Sequence, residues 1–564
     1  MELRLLLAFL LMGLVLFGTP YFLKLVSPPP AEEAGTPVAS EAPAVPATPA
    51  EAAPAAAPPP AAAPGSPDPV AAAAEETLTV ETDLFRIEFS NRGGVVRSWI
   101  LKDYFYAGLG KDRRPLELVN TTAAGRVGYP FALDFDAPPA VDLNQALFAA
   151  TRSDDGLSVE FEYAENGIAA RKVFRFAQDS YQALIESEVT SGAQPVPHLL
   201  AWRGGFGDFS VDQPAISQNA IYFDLPNNKL YLNDASDAKS GPVTASGQFS
   251  FAGISDLYFT AVFLPERDGP ISVRTFADAA SSEFHPDEEP HVGVSVGGAG
   301  RVAASLFVGP KDLDILKKVD PKLEQVVDFG WFGILAKPLF LIMQWVNNTY
   351  VNNYGWSIII VTILINIALF PLKLTSMKSM KRMQALQPQV TAINEKYKGM
   401  SVRDPRKQQQ QQELMGLYQK HNINPLGGCI PLLLQMPFLF AFYKVFTIAI
   451  EMRGASWLWV QDLSRPETLP IRVLPVTMIV TQVLLQKMTP ATSADPTQQR
   501  MMMIMPLVFG VMFYSMSSGL MLYWLTGNLV AIVQQVFFNR TATAAEVVES
   551  VQASANKKKK TVRK

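Results

Sequence analysis

The residues that could do chemistry in this sequence are neutral and polar, and they lie within apolar stretches of the second half of the chain. They are Thr362, Asn366, Gln435, Thr481, Gln482, Gln486, Thr526 and Asn528. The apolar stretches contain no Asp, Glu or His, which disfavours a proton-coupled transporter because such proteins need ionisable groups at depth. Hydroxyl and amide groups instead form hydrogen bonds, so they either join helices or line a wet cavity.

The stretch that must position two of these groups runs from Trp356 to Leu372 and carries no charge. As a helix it would rise about 26 Å, close to the ~30 Å of hydrocarbon in a bilayer. Thr362 and Asn366 are four residues apart and share one helical face, and an unpaired amide in hydrocarbon costs several kcal/mol. That face is therefore predicted to meet protein or water, not lipid.

The composition places the rest of the chain in a membrane as well. Of the 564 residues, 48% are hydrophobic and only 18% are charged, which is too apolar for a wholly soluble protein. Further apolar stretches are Leu5–Leu23, Ile430–Ile450, Leu469–Met488 and Met501–Phe538. The last is too long for one crossing and is divided near Ser518, so it predicts two. The sequence thus predicts a polytopic α-helical membrane protein with six transmembrane helices.

The distribution of charge sets the expected orientation. Basic residues gather at 373–420 and 557–564, whereas the acids lie mostly in the first 330 residues. Cytoplasmic loops carry the excess of Lys and Arg, and six crossings put both termini on one side, so both termini are predicted to be cytoplasmic. Residues 1–27 then form an uncleaved transmembrane anchor, with a cleavable signal peptide as the alternative.

Two different segments follow the anchor. Residues 28–76 are almost entirely Ala, Pro, Glu, Gly, Ser and Thr, a composition that predicts a disordered linker. Residues 77–325 contain short alternating runs separated by turn residues, which predict an extracytoplasmic β-sandwich domain. His198, His285 and His291 are too scattered for a metal site and are interpreted as surface or turn residues. The single cysteine, Cys429, excludes an internal disulfide framework.

Within residues 326–355, the stretch Trp331–Val346 is apolar, but Lys337-Pro338 interrupts it. If this segment crossed the membrane, the basic loop after Lys373 would face outside, against the positive-inside rule. We therefore predict an interfacial amphipathic helix anchored by Trp331 and Trp345. Together with the linker, this helix is expected to separate the sandwich from the membrane core.

The basic loop at 373–424 reads as a cytoplasmic helical hairpin, because Met377, Met380 and Met383 recur at helical spacing. A basic cytoplasmic tail occupies 541–564. We expect these segments to contact a ribosome or an anionic lipid surface, whereas a merely solvated hairpin and binding to nucleic acid are the alternatives. The contact candidates are Lys378, Lys381, Arg382, Lys557, Lys558, Lys559 and Lys560.

Several motifs in the second half of the chain resemble those of a known protein family. They are Asn424-Pro-Leu-Gly-Gly-Cys-Ile-Pro-Leu-Leu-Leu-Gln-Met-Pro-Phe, Gln486-Lys-Met-Thr-Pro, Asp495-Pro-Thr-Gln-Gln, Pro506 and Ser518-Gly-Leu-Met-Leu-Tyr-Trp. This set, dense from about 331 to 540, resembles the YidC family of membrane protein insertases. The Asn91-Arg-Gly-Gly segment and the large outer domain resemble the Gram-negative form more loosely.

The resemblance implies a five-helix insertase core at 356–540 that encloses a hydrophilic groove open to the cytoplasm and to lipid. It implies a non-enzymatic insertase and chaperone in the bacterial inner membrane, with the large domain in the periplasm and no cofactor or metal. The implied partners are nascent membrane proteins, the ribosome, Sec translocon components and the lipid bilayer. A small-solute channel or carrier that uses the same polar helices is the rival, and the outer sandwich resembles sugar-binding sandwiches.

The resemblance also assigns the groove residue by residue. Thr362 matches the family's groove threonine, Gln435 the third-helix glutamine, and Tyr523-Trp524 the aromatic pair of the last span. With Asn366, Gln482 and Gln486 these form the predicted substrate groove. The family usually carries an arginine where this chain has Asn366, so a groove that works by hydration and hydrogen bonding is favoured over one that works by charge.

Overall fold

The computed structural model describes residues 70–106, 113–192, 194–265, 269–298, 300–400, 404–421, 430–489 and 496–541. These residues form a sheet-rich domain followed by a helical part. The predicted anchor, the linker up to residue 69, the first six residues of the motif that begins at Asn424 and the tail beyond Thr541 lie outside the described residues.

The sheet-rich domain is built from antiparallel pairs of strands. The strands are β1 (Thr77–Glu81), β2 (Phe85–Ser90), β3 (Val95–Phe105), β4 (Pro115–Glu117), β5 (Ala132–Asp134), β6 (Ala149–Arg152), β7 (Ser158–Glu165), β8 (Ile168–Phe176), β9 (Gln182–Ser191), β10 (Gln194–Pro195), β11 (His198–Trp202), β12 (Asn219–Asp224), β13 (Lys229–Asn233), β14 (Val243–Gly247), β15 (Phe249–Ser255), β16 (Phe259–Pro265), β17 (Ile271–Ala280), β18 (Glu289–Gly298) and β19 (Arg301–Pro310). Two short helices, α1 (Thr121–Val127) and α2 (Pro214–Ser217), connect them. The alternation of the sequence thus predicted the class of this region correctly.

The strands form three sheets. A ten-stranded sheet has the order β13-β12-β15-β16-β19-β9-β8-β7-β6 with β10 beside β9, a five-stranded sheet the order β14-β17-β18-β11-β5, and a four-stranded sheet the order β1-β2-β3-β4. The first two pack face to face. Large rings from all three sheets fill the core, among them Phe89, Trp99, Phe174 and Trp202. Each fully buried ring of this kind contributes about 1.5–3 kcal/mol.

Lys172 of β8 is buried within this aromatic core, which is unusual for a charged side chain. Its Nζ donates hydrogen bonds to the carbonyl oxygens of Gly93, Gly94 and Phe131, at 2.7, 3.2 and 2.8 Å. Burial lowers the pKa of Lys172 to about 7. Gly93 and Gly94 belong to the Asn91-Arg-Gly-Gly turn and have positive φ angles of 74° and 54°, a conformation that favours glycine. The lysine therefore ties this turn to the core.

Three sequence predictions for this domain need correction. The last residues of the predicted linker belong to the folded domain, because Val70 pairs with Ala164 and Glu75 forms ion pairs with Arg92 and Arg97. His198 and His291 are buried, not at the surface. Burial lowers the pKa of both imidazoles to about 4. Composition missed these features because partners distant in the chain cover them.

The helical part begins where the last strand ends. Its helices are α3 (Leu313–Val319), α4 (Gly333–Val346), α5 (Tyr354–Ala368), α6 (Phe370–Ala385), α7 (Gln387–Lys396), α8 (Arg406–Lys420), α9 (Ile430–Ile448), α10 (Val473–Met488), α11 (Pro496–Phe513) and α12 (Ser518–Thr541). Short 3-10 turns lie at Pro321–Val326, Gly330–Phe332 and Ile450–Met452, and a π turn at Asn347–Val351. The first arm of the predicted hairpin is two helices, α6 and α7, which are separated at Leu386, before Pro388.

The predicted count of six transmembrane helices is not confirmed. By length and composition, one helix of the described residues, α12, is long and apolar enough to cross a membrane. A second crossing is possible if the pair Gly330–Val351 and Tyr354–Ala368 is one broken span, although its two halves meet at an angle of 117°. Leu434–Ile448, Val473–Met488 and Met503–Phe513 are apolar but shorter.

The sheet-rich domain and the helical part share one apolar cluster, contrary to the expectation that they are separate. Successive residues of β16 face opposite sides, so Val262 points away from the sandwich core while its neighbours point into it. On that outer side, Phe251 and Phe307 belong to the same cluster as Phe340 and Met343 of α4. The cluster continues into α9 and α12. The domain is therefore packed on the helices.

A buried ion pair crosses the same junction. Arg453 follows the Ile450–Met452 turn, and its Nη2 donates to the carboxylate of Asp208 at 2.5 Å and to the carbonyl oxygen of Phe105 at 2.7 Å. The two side chains are only 6% and 0% exposed. The guanidinium carbon lies 5.5 and 5.3 Å from the ring centroids of Tyr258 and Phe259. The pair fixes the domain in one orientation.

We expect Arg453→Met to loosen the junction. The substitution leaves the Asp208 carboxylate buried without a cation, which costs about 3–5 kcal/mol. Hydrogen exchange of the full-length protein in detergent is expected to rise at 103–106 and 450–457. The control is Arg453→Met combined with Asp208→Asn, which removes both charges and is expected to exchange less than the single variant. Native exchange in the single variant would contradict this role.

We also expect the junction to be less stable at high pH because of Glu451. Its Oε1 is buried and has no hydrogen-bond partner among the described residues, and burial raises the pKa of Glu451 to about 8. The folded protein therefore keeps a proton that the unfolded chain releases above its lower, ordinary pKa, so stability falls as the pH rises toward 8. Glu451→Gln is expected to flatten the melting temperature between pH 5 and 9. An unchanged slope would contradict the assignment.

Candidate functional site

Helix α12 lies at the centre of the helical part and packs against α5, α9 and α10. Every residue from Ser518 to Asn528 is buried. Polar side chains in that segment cannot reach water, so they must find partners on their own helix or on its neighbours. The partners that they find define two polar faces of α12.

The first face of α12 joins α9 and α5. Tyr523 is buried, its ring centroid lies 4.4 Å from that of Phe442 in α9, and its side chain lies beside the half-buried Gln435 of the same helix. Three turns further along the same face, Gln534 Nε2 donates to the carbonyl oxygen of Asn366 at 3.2 Å. We call Gln435, Tyr523, Gln534, Asn366 and Lys373 the first polar face.

Asn366 is the centre of the α5 side of this face. It is 7% exposed, and Thr362 is 0% exposed. Thr362 Oγ1 donates to the carbonyl oxygen of Ile358 at 2.6 Å, and Asn366 Nδ2 donates to that of Thr362 at 2.8 Å. Asn366 Oδ1 accepts a hydrogen bond of 2.6 Å from Lys373 Nζ. Both polar groups are thus paired inside the protein, as the cost of an unpaired amide in hydrocarbon requires.

Lys373 brings a positive charge to this face. It follows Asn366 by two helical turns and so lies on the same side, and the backbone hydrogen bond from Lys373 N to Leu369 O, of 3.1 Å, continues the helical path from α5. Among the described residues, no carboxylate forms an ion pair with Lys373. The ammonium therefore lies against a neutral amide, with charge that is not cancelled locally.

The second face of α12 joins α10 and α11. Trp524 is buried against Phe513 of α11, with ring centroids 4.9 Å apart, and its Nε1 donates to Gln482 Oε1 at 3.4 Å. One turn later, Asn528 Nδ2 donates to Thr481 Oγ1 at 3.2 Å and to the carbonyl oxygen of Met478 at 3.4 Å. These contacts are interhelical hydrogen bonds of the kind that join membrane helices.

The seven residues predicted for the groove are therefore divided between two faces. Thr362, Asn366, Gln435 and Tyr523 lie toward α5 and α9, whereas Gln482 and Trp524 lie between α10, α11 and α12. Gln486 follows Gln482 by one turn of α10 and is half-buried.

Sequence reasoning missed Lys373 and Gln534 as members of the site. The spacing of Lys373 from Asn366, and that of Gln534 from Tyr523, each gave a signal, because both pairs share a helical face. The contact between Gln534 and Asn366 could not be predicted from spacing, because 168 residues separate them in the chain.

Comparison with known proteins identifies the family. Residues 77–342 match the family model of the YidC periplasmic domain, and residues 345–545 match that of the 60Kd inner membrane protein. The membrane protein insertase YidC of Citrifermentans bemidjiense is 36% identical over 558 residues, which cover 96% of this chain and 99% of that protein. This chain belongs to the YidC family.

Further YidC relatives give the same result. Membrane protein insertase YidC of Geobacter sp. strain M21 is 35% identical over 483 residues, which cover 83% of this chain and 86% of that protein. A crystal structure of an active YidC insertase with its first transmembrane domain resolved is 20% identical, with a TM-score of 0.36 over 82% of this chain and 93% of that one. Because this TM-score is low, the family assignment depends on the sequence matches. Those matches confirm the predicted resemblance.

The basic hairpin of this chain packs against the end of α12. Met377 and Met380 of α6 are buried with Phe538. Lys381 Nζ lies 5.0 Å from the centroid of the Phe538 ring, and Lys378 is exposed whereas Arg382 is half-buried. The helices α7 and α8 are joined by an ion pair of 2.7 Å between Lys396 and Glu413. The lysines predicted at 557–560 lie outside the described residues.

We expect the second face of α12 to hold the YidC helices together. Asn528→Leu removes the hydrogen bonds to Thr481 and Met478, which cost about 0.6–2 kcal/mol to lose in membrane proteins. Thermal unfolding in detergent is expected at a lower temperature. The matched control is Thr526→Val, because in the part of the chain that the structure describes the Thr526 hydroxyl bonds only to the carbonyl oxygen of Leu522 in its own helix, at 2.7 Å. Equal melting temperatures for the two variants would contradict an interhelical role for Asn528.

Proposed function

We propose that this YidC-family chain is a membrane protein insertase and chaperone whose clients are nascent membrane proteins. The proposal is supported by the family and by one observation, the first polar face, which puts amides and a cation between α5, α9 and α12. A polar external segment of a client loses its hydration when it enters hydrocarbon, and polar partners part-way across lower that cost. The apolar segment then partitions into lipid without covalent chemistry, so no catalytic residue is required.

Lys373 supplies the charge of the proposed groove. The amide at Asn366 carries no charge, but its Oδ1 holds the ammonium of Lys373 at 2.6 Å. An ammonium has three donors, and this bond engages one of them. The groove therefore combines hydrogen bonding with a cation that attracts an acidic external tail, which modifies the expectation that it works by hydration alone.

The proposed arrangement in the membrane follows from charge and amphipathicity. Residues 1–27 are the first of six crossings, the large domain is periplasmic, and both termini and the hairpin at 373–424 are cytoplasmic. The segment 326–355 lies in the outer interface, supported by the 117° bend before α5 and by Trp331 and Trp345, which are 86% and 55% exposed. Five spans at 356–540 form the insertase core.

The first proposed partners carry negative charge, which basic cytoplasmic surfaces attract. Lys378, Lys381 and Arg382 with the lysines at 557–560 contact the ribosome or anionic lipid, an interaction that salt weakens. Sec translocon components are further partners of the proposed insertase.

A small-solute channel or carrier is the second candidate function, because it would use the same polar helices. The absence of Asp, Glu and His from the apolar stretches weighs against a proton-coupled carrier. A direct comparison of insertion with solute release separates the two functions.

We expect the full-length protein in liposomes, without a solute gradient, to insert a single-span client. Lys373→Gln is expected to lower insertion of a client with an acidic external tail about tenfold, as for one lost charge-assisted interaction, and to affect a neutral-tailed client less. Asn366→Leu, which removes the amide itself, is expected to lower both. Insertion is measured by protease protection of the client.

Thr526→Val serves as the control and is expected to insert both clients normally. Full activity of Asn366→Leu on the neutral client would show that the first polar face lines no groove. Release of a trapped small solute without any insertion would instead favour the channel or carrier.

A further inference from the structure

A cavity of about 660 Å³ lies at the junction of the sheet-rich domain and the helical part. Its walls carry charges of both signs. Asp103, Arg113 and Asp212 line it from the domain, and Asp462, Arg465 and Arg472 from the helical part. Arg453, Glu467 and Tyr514 also reach its wall. It lies apart from the first polar face and has no role in the proposed passage of clients.

The cavity lies at the level where apolar helices end. Arg472 directly precedes α10, and its Nη1 donates to the carbonyl oxygen of Tyr514, just after α11, at 2.6 Å. Ile471 lies in the chain between two lining residues and is 69% exposed, and Leu458 and Trp459, which precede the lining residue Val460, are 67% and 42% exposed. Exposed apolar side chains next to charged ones are typical of a membrane interface, where one surface meets both acyl chains and head groups.

Arg465 is the group in the cavity that most needs a ligand. Its Nη1 is buried and has no hydrogen-bond partner among the described residues. Its Nη2 lies 3.9 Å from Asp212 Oδ1, whose side chain is wholly exposed, so this ion pair is weak. The Arg465 side chain lines the cavity and is 28% exposed, so its accessible donors can meet a phosphate oxygen, which is a strong acceptor for a guanidinium.

The charges that line the cavity indicate which class of phosphate-containing ligand fits it. Four arginines and four carboxylates line the cavity, and Arg453 is already neutralised by Asp208. A ligand with only negative charge would gain from Arg465 and Arg113 but be repelled by Asp103 and the other carboxylates. A ligand with both a phosphate and an ammonium group can pair with the arginines and with the carboxylates.

We propose that this cavity binds the head group of a zwitterionic phospholipid of the ethanolamine type. Arg465 and Arg113 hold the phosphate, and Asp462 and Asp103 face the ammonium. The acyl chains extend along Leu458 and Ile471. The proposal requires the chain to lie in a membrane, but it does not require insertase activity, so a binding measurement tests it separately.

The experiment measures lipid retention by full-length protein that has been stripped of lipid in detergent. Native mass spectrometry follows binding of dioleoylphosphatidylethanolamine, dioleoylphosphatidylglycerol and inorganic phosphate. We expect preferential binding of the ethanolamine lipid, about tenfold weaker in Arg465→Gln. Asp462→Asn is expected to reduce the preference for the ethanolamine lipid over the glycerol lipid.

The matched control is Arg301→Gln, since Arg301 lies at the far end of β19 and forms a surface ion pair of 2.7 Å with Glu186. It is expected to bind lipid as the native protein does. If Arg465→Gln does not fold, the half-exposed Asp462 variant still decides the question through the lipid preference. Equal retention by the Arg465 and Arg301 variants would overturn the site. A preference for the glycerol lipid, or displacement of the lipid by inorganic phosphate, would overturn the assigned ligand.

Discussion

The helical part depends on one constraint, which is that no amide or hydroxyl stays unpaired in an apolar layer. α12 carries such groups on two faces, so it must be surrounded by helices that offer partners on both. Gln534 and Tyr523 require α5 and α9 on one side, and Asn528 requires α10 on the other. Thr526 avoids the requirement by bonding to the turn before it. The position of α12 at the centre follows from these pairings.

The same constraint acts at the junction with the sheet-rich domain. Arg453 is buried there only because Asp208 and the Phe105 carbonyl oxygen accept its hydrogen bonds. Tyr258 and Phe259, which contact Arg453, belong to the sandwich core, whereas the apolar cluster at the same junction includes one face of the ten-stranded sheet and α4. An apolar contact tolerates sliding, whereas a buried ion pair has one geometry. We therefore expect the ion pair to set the geometry of the junction, beside the apolar contacts of the cluster.

How far the sequence predicts this protein depends on the distance between interacting residues. Strands such as β3 and β8 were predictable because alternation is local, and the shared face of Thr362 and Asn366 was predictable from helical spacing. Pairings over long separations were not, including Asp208 with Arg453 and Gln534 with Asn366, 245 and 168 residues apart.

Burial of polar residues was equally hidden in the sequence. Lys172 and His198 look like surface residues until the sheets that cover them are known. The family resemblance supplied what local patterns could not, namely a prediction of which polar residues form a groove. It still missed Lys373, because the position that it singled out, Asn366, is occupied by a neutral residue.

There is a physical reason why the positive charge is carried by Lys373 and not by the residue at position 366. A cation at Asn366 itself would be buried within the apolar stretch Trp356–Leu372, where its burial is expensive. Two turns further on, Lys373 can keep its backbone near the end of the apolar stretch while its long side chain returns to the amide. The amide oxygen accepts the ammonium, and Asn366 Nδ2 remains bonded to its own helix. The chain thus keeps a positive charge at this depth while the residue that anchors it lies closer to water.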